Sequence, residues 1–373
     1  MDVNIVTTTT SFLDKIKGAF FGVILGLILF IGSFALLWWN EGNCVRKIEL
    51  NNYVKKNVVN IDANKINPAY NDKLVYVSGN AVSSESLNDN LNVGMKNAIG
   101  LFRNVDMYQW VEDKKNKETK NVGGSSSKTT TYSYSKKWSK NLINSTSFNQ
   151  SQDHQNPSYF KVPSTDIYAQ NVKLGAFNLS QDQVKSIKST IQITGLPDNN
   201  YFKKTGGYYY YGENENDPQV GDLKISYSYI PSKTPISIIA KQNNNNLIPD
   251  ITPRGEFSNV TMGIASVDQI MRNLDNQNAF FTILFRVLGI VLMYVGLSLL
   301  IAPITILADI IPPIATIVNV LSGIVLFLIA LALSLITIAI AWLAYRPLIA
   351  VPVIAALVYI VYQIIKKRQA VTW

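Results

Sequence analysis

The stretch GIVLFLIALALSLITIAIAWLAY, residues 323–345, decides the fold class because it contains no charged side chain. A buried helix of a soluble domain does not need so long an apolar run. About 20 residues at 1.5 Å each, however, cross the roughly 30 Å of hydrocarbon in a bilayer. The same composition extends over residues 279–365, where the only charged side chains are Arg286, Asp309 and Arg346. We therefore predict a membrane protein.

These three charges divide the C-terminal block into three predicted spans, at residues 287–308, 320–344 and 348–365. Lys366, Lys367 and Arg368 follow the last span, so residues 366–373 are predicted to be a cytosolic tail. The segment between the first two spans is interrupted by prolines, at Pro303, Pro312 and Pro313. Because unpaired backbone groups cannot face lipid, this segment is interpreted as an interfacial or re-entrant connection.

Charged residues inside a membrane segment are candidates for function. Arg286, Asp309 and Arg346 all lie near span ends, where long side chains can reach the headgroups. The favoured interpretation is that they snorkel to the membrane surface. A transporter or channel built around Arg286, Asp309 and the proline-rich segment is the alternative.

A fourth span is predicted near the start of the chain. Residues 1–17 are polar and rich in Thr, and are expected to form a flexible cytosolic tail. Residues 18–40 carry no charge and end at Trp38 and Trp39, which suit a membrane interface. Lys15 and Lys17 leave a cleaved signal peptide open as an alternative. An uncleaved signal anchor is favoured, since no clear small-residue cleavage site precedes the tryptophans.

Residues 41–278 are polar and are predicted to form one water-facing α+β domain dominated by antiparallel strands. Predicted strands cover residues 74–82, 105–113, 129–138, 222–230 and 235–242, and predicted helices cover 181–190 and 267–274. The Lys-, Asn-, Gly- and Ser-rich stretch that ends in Gly123-Gly124-Ser125 is expected to be a long hairpin loop. Asn243–Asn246 is expected to be a loop without chemistry.

The residues that common enzymes require are scarce. His154 is the only histidine and Cys44 the only cysteine, so a nucleophilic triad or a zinc site is not expected. His154 lies in the sequence SQDHQNPS and is predicted to be solvated. Glu213, Glu215 and Asp217 are interpreted as a solvated loop, because the EF-hand spacing for calcium is missing. The chain is predicted to be non-enzymatic, without cofactor or metal, although an unfamiliar carboxylate site stays open.

The net charge of +9 is spread thinly along the chain. A nucleic-acid partner is therefore not expected, and an anionic membrane surface is the more natural one.

The aromatic groups at Met107-Tyr108-Trp110 and Tyr208–Tyr211 are interpreted as core and cross-strand packing. In the predicted third span, Ser334 and Thr337 suit close packing between helices.

Four Asn-x-Ser/Thr acceptors are possible N-glycosylation sites, if the domain faces the lumen. They are Asn144, Asn149, Asn178 and Asn259.

A series of landmarks, in one order from the first span to the last, resembles the transmembrane protein 43 (LUMA) family. They are Asn40-Glu41-Gly42, VDMYQWVE at 105–112, TYSYSKKW at 131–138, NSTSFN at 144–149, Asn156-Pro157-Ser158, VGDLKISYSY at 220–229, IIAKQ at 238–242 with LIP at 247–249, and Tyr345-Arg346-Pro347-Leu348. The chain departs from the family pattern at Gly123–Ser127 and Asn243–Asn246.

The resemblance implies a four-span protein of the endoplasmic reticulum and inner nuclear membrane, with a lumenal domain and both termini on the cytosolic side. It also implies a scaffold that supports nuclear envelope structure, self-associates, and has lamins or emerin-like proteins as partners. No catalytic residues are carried over. In a bacterial source, the same architecture would be a membrane protein with a periplasmic binding domain.

Overall fold

The computed structural model describes residues 2–121, 124–308 and 312–346, together with Val351, Pro352, Ala355 and Tyr359. For residues 308 and 312–321, only the backbone is described. The chain forms two compact units. The β-rich unit comprises Met1–Val6, Asn52–Lys117 and Thr129–Arg272. The helical unit comprises Thr7–Asn51, Glu118–Lys128 and Asn273–Trp373.

Three long helices confirm the membrane character of the chain. The long helices are α1 Phe12–Asn57, α3 Val267–Ala308 and α4 Pro312–Ala344, and a short helix, α2, covers Gln181–Lys185. Segments of α1, α3 and α4 are long and apolar enough to cross a membrane, at Phe12–Asn57, Val267–Leu307 and Ser322–Ala344. They correspond to the predicted first span and to two of the three C-terminal spans. The predicted span 348–365, apart from the four positions named above, lies outside the described residues, as do Asp309 and residues 366–373.

The helix boundaries show where the prolines of the C-terminal block lie. Pro303 lies inside α3, and Pro312 and Pro313 are the first residues of α4. The predicted interfacial or re-entrant connection would be confined to residues 309–311, which lie outside the described residues. Proline is well suited to the first turn of a helix, where its missing N–H would have no partner in any case.

The short helix α2 begins where the sequence predicts but ends earlier than residue 190. The Ser180 side chain accepts from the Gln183 N–H, and the Gln183 side chain accepts in return from the Ser180 N–H. This reciprocal capping box supplies partners to two N–H groups at the helix start. The predicted helix at 267–274 is confirmed as the first part of α3.

Besides two short 3₁₀ helices, Pro68–Tyr70 and Ser145–Ser147, the remaining elements are strands, and they confirm an α+β domain that is mainly antiparallel. In chain order the strands are β1 Asp2–Thr10, β2 Val59–Asn60, β3 Leu74–Val82, β4 Ser86–Asn88, β5 Gly94–Lys96, β6 Ala98–Lys120, β7 Ser126–Ser139, β8 Thr165–Tyr168, β9 Lys173–Leu174, β10 Phe177–Leu179, β11 Ile191–Ile193, β12 Lys203–Thr205, β13 Tyr208–Tyr211, β14 Leu223–Pro231, β15 Thr234–Asn243, β16 Asn246–Ile248, β17 Asp250–Thr252, β18 Gly255–Phe257 and β19 Asn259–Met262. The five predicted strands coincide with β3, β6, β7, β14 and β15 to within one residue or lie inside them.

Two segments expected to be irregular are strands instead. The expected hairpin loop is short, because β6 continues to Lys120 and β7 resumes at Ser126. The expected flexible cytosolic tail contains β1, which lies beside β7 at the edge of a sheet. Its first residues, up to Val6, belong to the β-rich unit and lie on the same side of the membrane as that unit. Val3, Ile5 and the threonines at 7–10 are β-branched residues, which favour an extended backbone. Without β1, β7 would be the edge of the sheet, and its outer backbone N–H and C=O groups are available for pairing with such a segment.

Two sheets build the β-rich part of the fold. The eight-stranded sheet has the order β1-β7-β6-β14-β13-β12, with β8 also paired to β6 and β11 to β14. The seven-stranded sheet has the order β19-β15-β16-β10-β9-β3-β2. Because β15 pairs with both β16 and β3, five of these strands close into a small barrel. Its parallel contact is between β10 and β16.

Alternation along the strands explains how one core serves both sheets. On β6, every second residue from Leu101 to Met107 is buried, including Arg103, and the residues at the intervening positions are half-buried. Successive side chains of a strand point to opposite faces, so this alternation turns one face of β6 inwards. In the barrel, Val77 of β3 lies opposite Ile238 of β15, and both side chains are fully buried.

We predict that Ile238→Ala destabilises the protein by about 2–5 kcal/mol, because it leaves a cavity in this core. The matched control is Ile251→Ala, at a side chain that is 77% exposed. Thermal unfolding of the full-length protein in detergent, followed by tryptophan fluorescence, measures the difference. Equal melting temperatures for the two variants would contradict the proposed core.

Candidate functional site at the ends of the apolar helices

A buried ion pair joins α1 to α3 within the helical unit. The Arg286 Nε donates to Glu41 Oε1 at 2.7 Å, and its Nη2 donates to Glu41 Oε2 at 2.8 Å. The Glu41 side chain is 1% exposed and that of Arg286 is 35% exposed. Arg286 therefore does not simply snorkel to the headgroups, as the sequence suggested. Its fork-like donors hold a carboxylate that would be costly to bury alone.

Side-chain amides continue this contact along the two helices. In each case an asparagine on one helix donates to an oxygen on the other. The bonds run from Asn40 Nδ2 to the Thr282 carbonyl (3.1 Å), from Asn278 Nδ2 to the Cys44 carbonyl (3.2 Å) and from Asn51 Nδ2 to Asp275 Oδ1 (2.8 Å). Residue numbers fall on α3 as they rise on α1, so the helices are antiparallel.

The end of α4 meets the same part of α1. A Cβ at Gly42 would lie 2.5 Å from the ring of Tyr345, so only glycine allows the ring to pack there. The Trp38 and Tyr345 rings lie 5.9 Å apart between centroids. Arg346, predicted to be a membrane-edge charge, places its guanidinium over the Trp342 ring at 4.9 Å. Residues from the landmarks at 40–42 and 345–348 thus lie together. We call Asn40, Glu41, Thr282, Arg286 and Tyr345 the polar cluster.

Further along, glycines let the α1 and α3 backbones approach closely. A Cβ at Gly26 would lie 2.9 Å from the Gly296 carbonyl oxygen, and a Cβ at Gly296 would lie 2.7 Å from the Phe30 nitrogen. Close approach through small residues is a common way for membrane helices to associate. This contact was not predicted, although the Gly22-x-x-x-Gly26 spacing is a signal for it.

The small-residue face of α4 is used inside the chain. Ser334 and Ala330 are fully buried, and Ser334 Oγ lies 3.3 Å from Met293 Sδ on α3. The predicted role of Ser334 in helix packing is consistent with this contact. The face is not free to receive another protein.

In the β-rich unit, the landmarks at 105–112 and 156–158 meet where β6 loses its neighbour β14. The Asn156 side chain accepts from the Trp110 N–H (2.7 Å) and donates to the Trp110 carbonyl (2.9 Å). The Asn156 carboxamide therefore makes the two hydrogen bonds that a backbone residue of a neighbouring strand would make to Trp110. Buried Gln109 binds the same loop, through the Ile143 N–H and the Asn141 carbonyl. We call Gln109, Trp110 and Asn156 the loop clamp.

His154 lies beside this clamp and corrects the prediction of a solvated loop. Its side chain is 3% exposed, stacks on Tyr134 at 3.8 Å and packs against the edge of Trp110 at 4.6 Å. Its Nδ1 lies 3.0 Å from the Gln150 carbonyl oxygen. Aromatic stacking, this backbone contact and the approach of its Nε2 to Asp2 Oδ2 at 3.6 Å account for this histidine.

Tyr134 and Glu112 form a coupled polar pair next to His154. The Tyr134 hydroxyl donates to Glu112 Oε2 at 2.8 Å and accepts from the Gln150 N–H at 3.0 Å. Burial raises the pKa of Tyr134 to about 12, and the bond to Glu112 adds to the rise. Burial alone would raise the pKa of Glu112. Its bonds from the Asn149 N–H, Tyr134 and Lys114 together lower it.

A second buried ion pair lies in the core. Arg103 Nη1 lies 2.7 Å from Asp89 Oδ2, and the Tyr227 hydroxyl donates to the same oxygen. Burial, followed by this bond, raises the pKa of Tyr227. The side chains of Arg103 and Asp89 are 3% and 2% exposed, so the pair is enclosed and has a structural role.

The other candidate residues are dispersed. Glu213 and Asp217 are exposed, and Tyr209 and Tyr210 are buried in the core as predicted. Within the described ranges, no group of three His, Cys, Asp or Glu side chains could hold a metal ion. The possible glycosylation sites occupy an exposed turn (Asn144), an exposed loop (Asn149) and two strands (Asn178 in β10 and Asn259 in β19).

The fold and the polar cluster define a membrane protein with long apolar helices and a β-rich domain. The family model described as Transmembrane protein 43 matches residues 107–347. The chain therefore belongs to the transmembrane protein 43 family.

Individual relatives agree with this assignment. The Rattus norvegicus Transmembrane protein 43 is 31% identical over 76% of this chain and 74% of its own length. The Homo sapiens protein is 33% identical over 66% of this chain and 64% of its own. The Drosophila melanogaster homolog is 28% identical over 73% of this chain and 74% of its own. No solved structure matches the chain.

We predict that Arg286→Ala destabilises the helical unit by about 3–5 kcal/mol, because it leaves the buried Glu41 carboxylate without its cation. Glu41→Ala is expected to cost less, because the Arg286 side chain that it leaves behind is 35% exposed. The double variant is expected to cost less than the sum of the two. Thermal unfolding in detergent measures the cycle. The control is Glu49→Ala, at an exposed carboxylate of the same helix. Additive losses, or an equal loss for Glu49→Ala, would refute the pairing.

Tyr134→Phe should lower the stability of the protein by about 1–2 kcal/mol near neutral pH, because Glu112 and the Gln150 N–H lose a partner. Folding raises the pKa of Tyr134, so its contribution is full below about pH 10 and declines as the pH approaches about 12. Melting temperatures between pH 7 and pH 12 should therefore fall less steeply for the variant. Tyr132→Phe, two residues earlier on β7, is the control, and identical pH profiles for the two variants would contradict the assignment.

Proposed function

We propose that the protein is a non-enzymatic multi-pass scaffold of the endoplasmic reticulum and inner nuclear membrane. Its β-rich domain faces the lumen, and it organises protein complexes that support the nuclear envelope. Family membership supports the membrane architecture, and the compartment follows from the resemblance noted in the sequence.

The observation that carries the proposal is the Glu41–Arg286 pair. Transporters commonly place charged groups where a substrate or an ion can bind them. Here both oxygens of Glu41 are occupied by Arg286, and the neighbouring amides bind oxygens of the opposite helix. These polar groups hold helices together, which is the requirement of a scaffold.

The proposed topology has a consequence for the proposed partners. A lumenal domain cannot touch lamins, which lie across the membrane from it. Emerin-like membrane proteins, or a second copy of the chain, can instead pack against apolar faces that α1, α3 and α4 leave exposed. Examples on these faces are Phe21, Ile283 and Ile336. Contact with lamins would then be relayed through such partners.

A transporter is the second candidate, because an ion pair within apolar helices is also a feature of transport proteins. Liposomes that contain the protein would then show a specific flux that Glu41→Gln abolishes. The scaffold proposal expects no such flux.

Proximity labelling of the full-length protein at native expression tests the scaffold directly. We expect enrichment of nuclear-envelope proteins over a control fusion to an unrelated membrane protein of the endoplasmic reticulum. Glu49→Ala should retain this enrichment, whereas Glu41→Ala should lose it because the helices no longer assemble. Labelling confined to the plasma membrane or to soluble metabolic enzymes would overturn the proposal.

A further inference from the structure

The structure separates the four possible glycan acceptors by their surroundings. Asn144 and Thr146 are both exposed and belong to one tight turn. The Asn144 Oδ1 accepts from the Thr146 N–H at 3.0 Å and from the Thr146 hydroxyl at 2.8 Å. Both bonds use the oxygen of the carboxamide, so its Nδ2 takes no part in them.

The turn that carries Asn144 is anchored on both sides. The Ile143 N–H donates to Gln109 Oε1 at 2.8 Å, and buried Ser145 accepts from the Asn156 N–H at 2.8 Å. Asn156 also donates to the Ile143 carbonyl at 3.1 Å. The loop clamp therefore presents Asn144 on a fixed support at the surface, where a bulky group has room.

The other three acceptors are engaged in the folded domain. Asn149 accepts from Asn4 Nδ2 and donates its N–H to Glu112. Asn178 is half-buried in β10, where its Nδ2 donates to Asn246 Oδ1 at 3.1 Å. Asn259 is half-buried in β19, lies opposite Ile239 of β15, and accepts at its Oδ1 from the Thr261 hydroxyl at 2.8 Å. Asn144 therefore differs from Asn178 and Asn259 in its exposure, and from Asn149 in having no contact with a distant side chain among the bonds described for its carboxamide.

We propose that Asn144 carries an N-linked glycan and that Asn149, Asn178 and Asn259 do not. The inference rests on the lumenal placement in the proposed function. In the transfer step, Asn144 Nδ2 attacks C1 of the first sugar of a lipid-linked oligosaccharide pyrophosphate. The N–C1 bond forms, the C1–O bond to the pyrophosphate breaks, the lipid pyrophosphate leaves and the amide loses one proton.

A glycan at this place has a consequence for partners. The turn lies against β6, next to Trp110 and Glu112, so a hydrated glycan would cover this end of the larger sheet. Protein partners of the domain would then dock elsewhere on it.

Expression of the full-length protein in eukaryotic cells, followed by glycosidase treatment and gel electrophoresis, tests the assignment. We expect the wild type to shift by the mass of one glycan. The shift should be lost in Asn144→Gln and also in Thr146→Ala, which keeps the asparagine but removes the acceptor motif. It should persist in Asn149→Gln, Asn178→Gln and Asn259→Gln. A shift that persists in Asn144→Gln, or a wild type without any shift, would overturn the proposal.

A reporter site separates failure of this inference from failure of the lumenal placement. In the Asn144→Gln background, the substitution Asn246→Thr makes Asn244 the first residue of an Asn-x-Thr acceptor, in an exposed turn. A glycosylated reporter beside an unmodified wild type would refute the Asn144 assignment alone. If neither the reporter nor the wild type is modified, the lumenal placement fails as well. Modification of both the wild type and the reporter supports both proposals.

Discussion

The helical unit depends on one interaction, the bidentate contact between Glu41 and Arg286. A carboxylate that is 1% exposed beside apolar helices is stable only if a cation supplies the hydrogen bonds that water would otherwise give. The two residues are 245 positions apart in the chain. Their contact therefore fixes the register of α1 against α3, because a shift by one residue would break both bonds and the neighbouring amide contacts together.

Packing in the apolar part follows from a second constraint. In lipid, no hydrophobic driving force draws one apolar helix to another, so close van der Waals contact must supply the attraction. Gly26 and Gly296 allow that contact by bringing the two backbones together. Ser334 against Met293, and Tyr345 against Gly42, add α4 to the pair. Polar contacts thus set the register and small residues set the distance.

The sequence predicts the features that local composition determines. Apolar runs of membrane length and the strand-forming runs that became β3, β6, β7, β14 and β15 depend on neighbouring residues, and both appear as predicted. The length of β6 and β7 was underestimated, since residues 114–120 and 126–131 are almost all polar and lack an apolar strand pattern. The candidate site was harder to foresee. Arg286 was recognised as unusual, but its partner Glu41 could not be found, because the pairing links distant parts of the chain. His154 was assigned to solvent for a similar reason, since its neighbours in sequence are polar and only the fold brings Tyr134 and Trp110 to it.

The landmarks that first indicated the family have a shared physical role in this structure. Asn156 and Gln109 supply hydrogen bonds to backbone groups that the end of a sheet leaves open. Glu41 and Gly42 do comparable work in the helical unit, where one neutralises Arg286 and the other admits the Tyr345 ring. In an enzyme, distinctive residues of this kind usually converge on a cavity and keep reactive atoms exposed. Here they are consumed in holding loops, strands and helices in place, and such rigidity supports the scaffold proposed above.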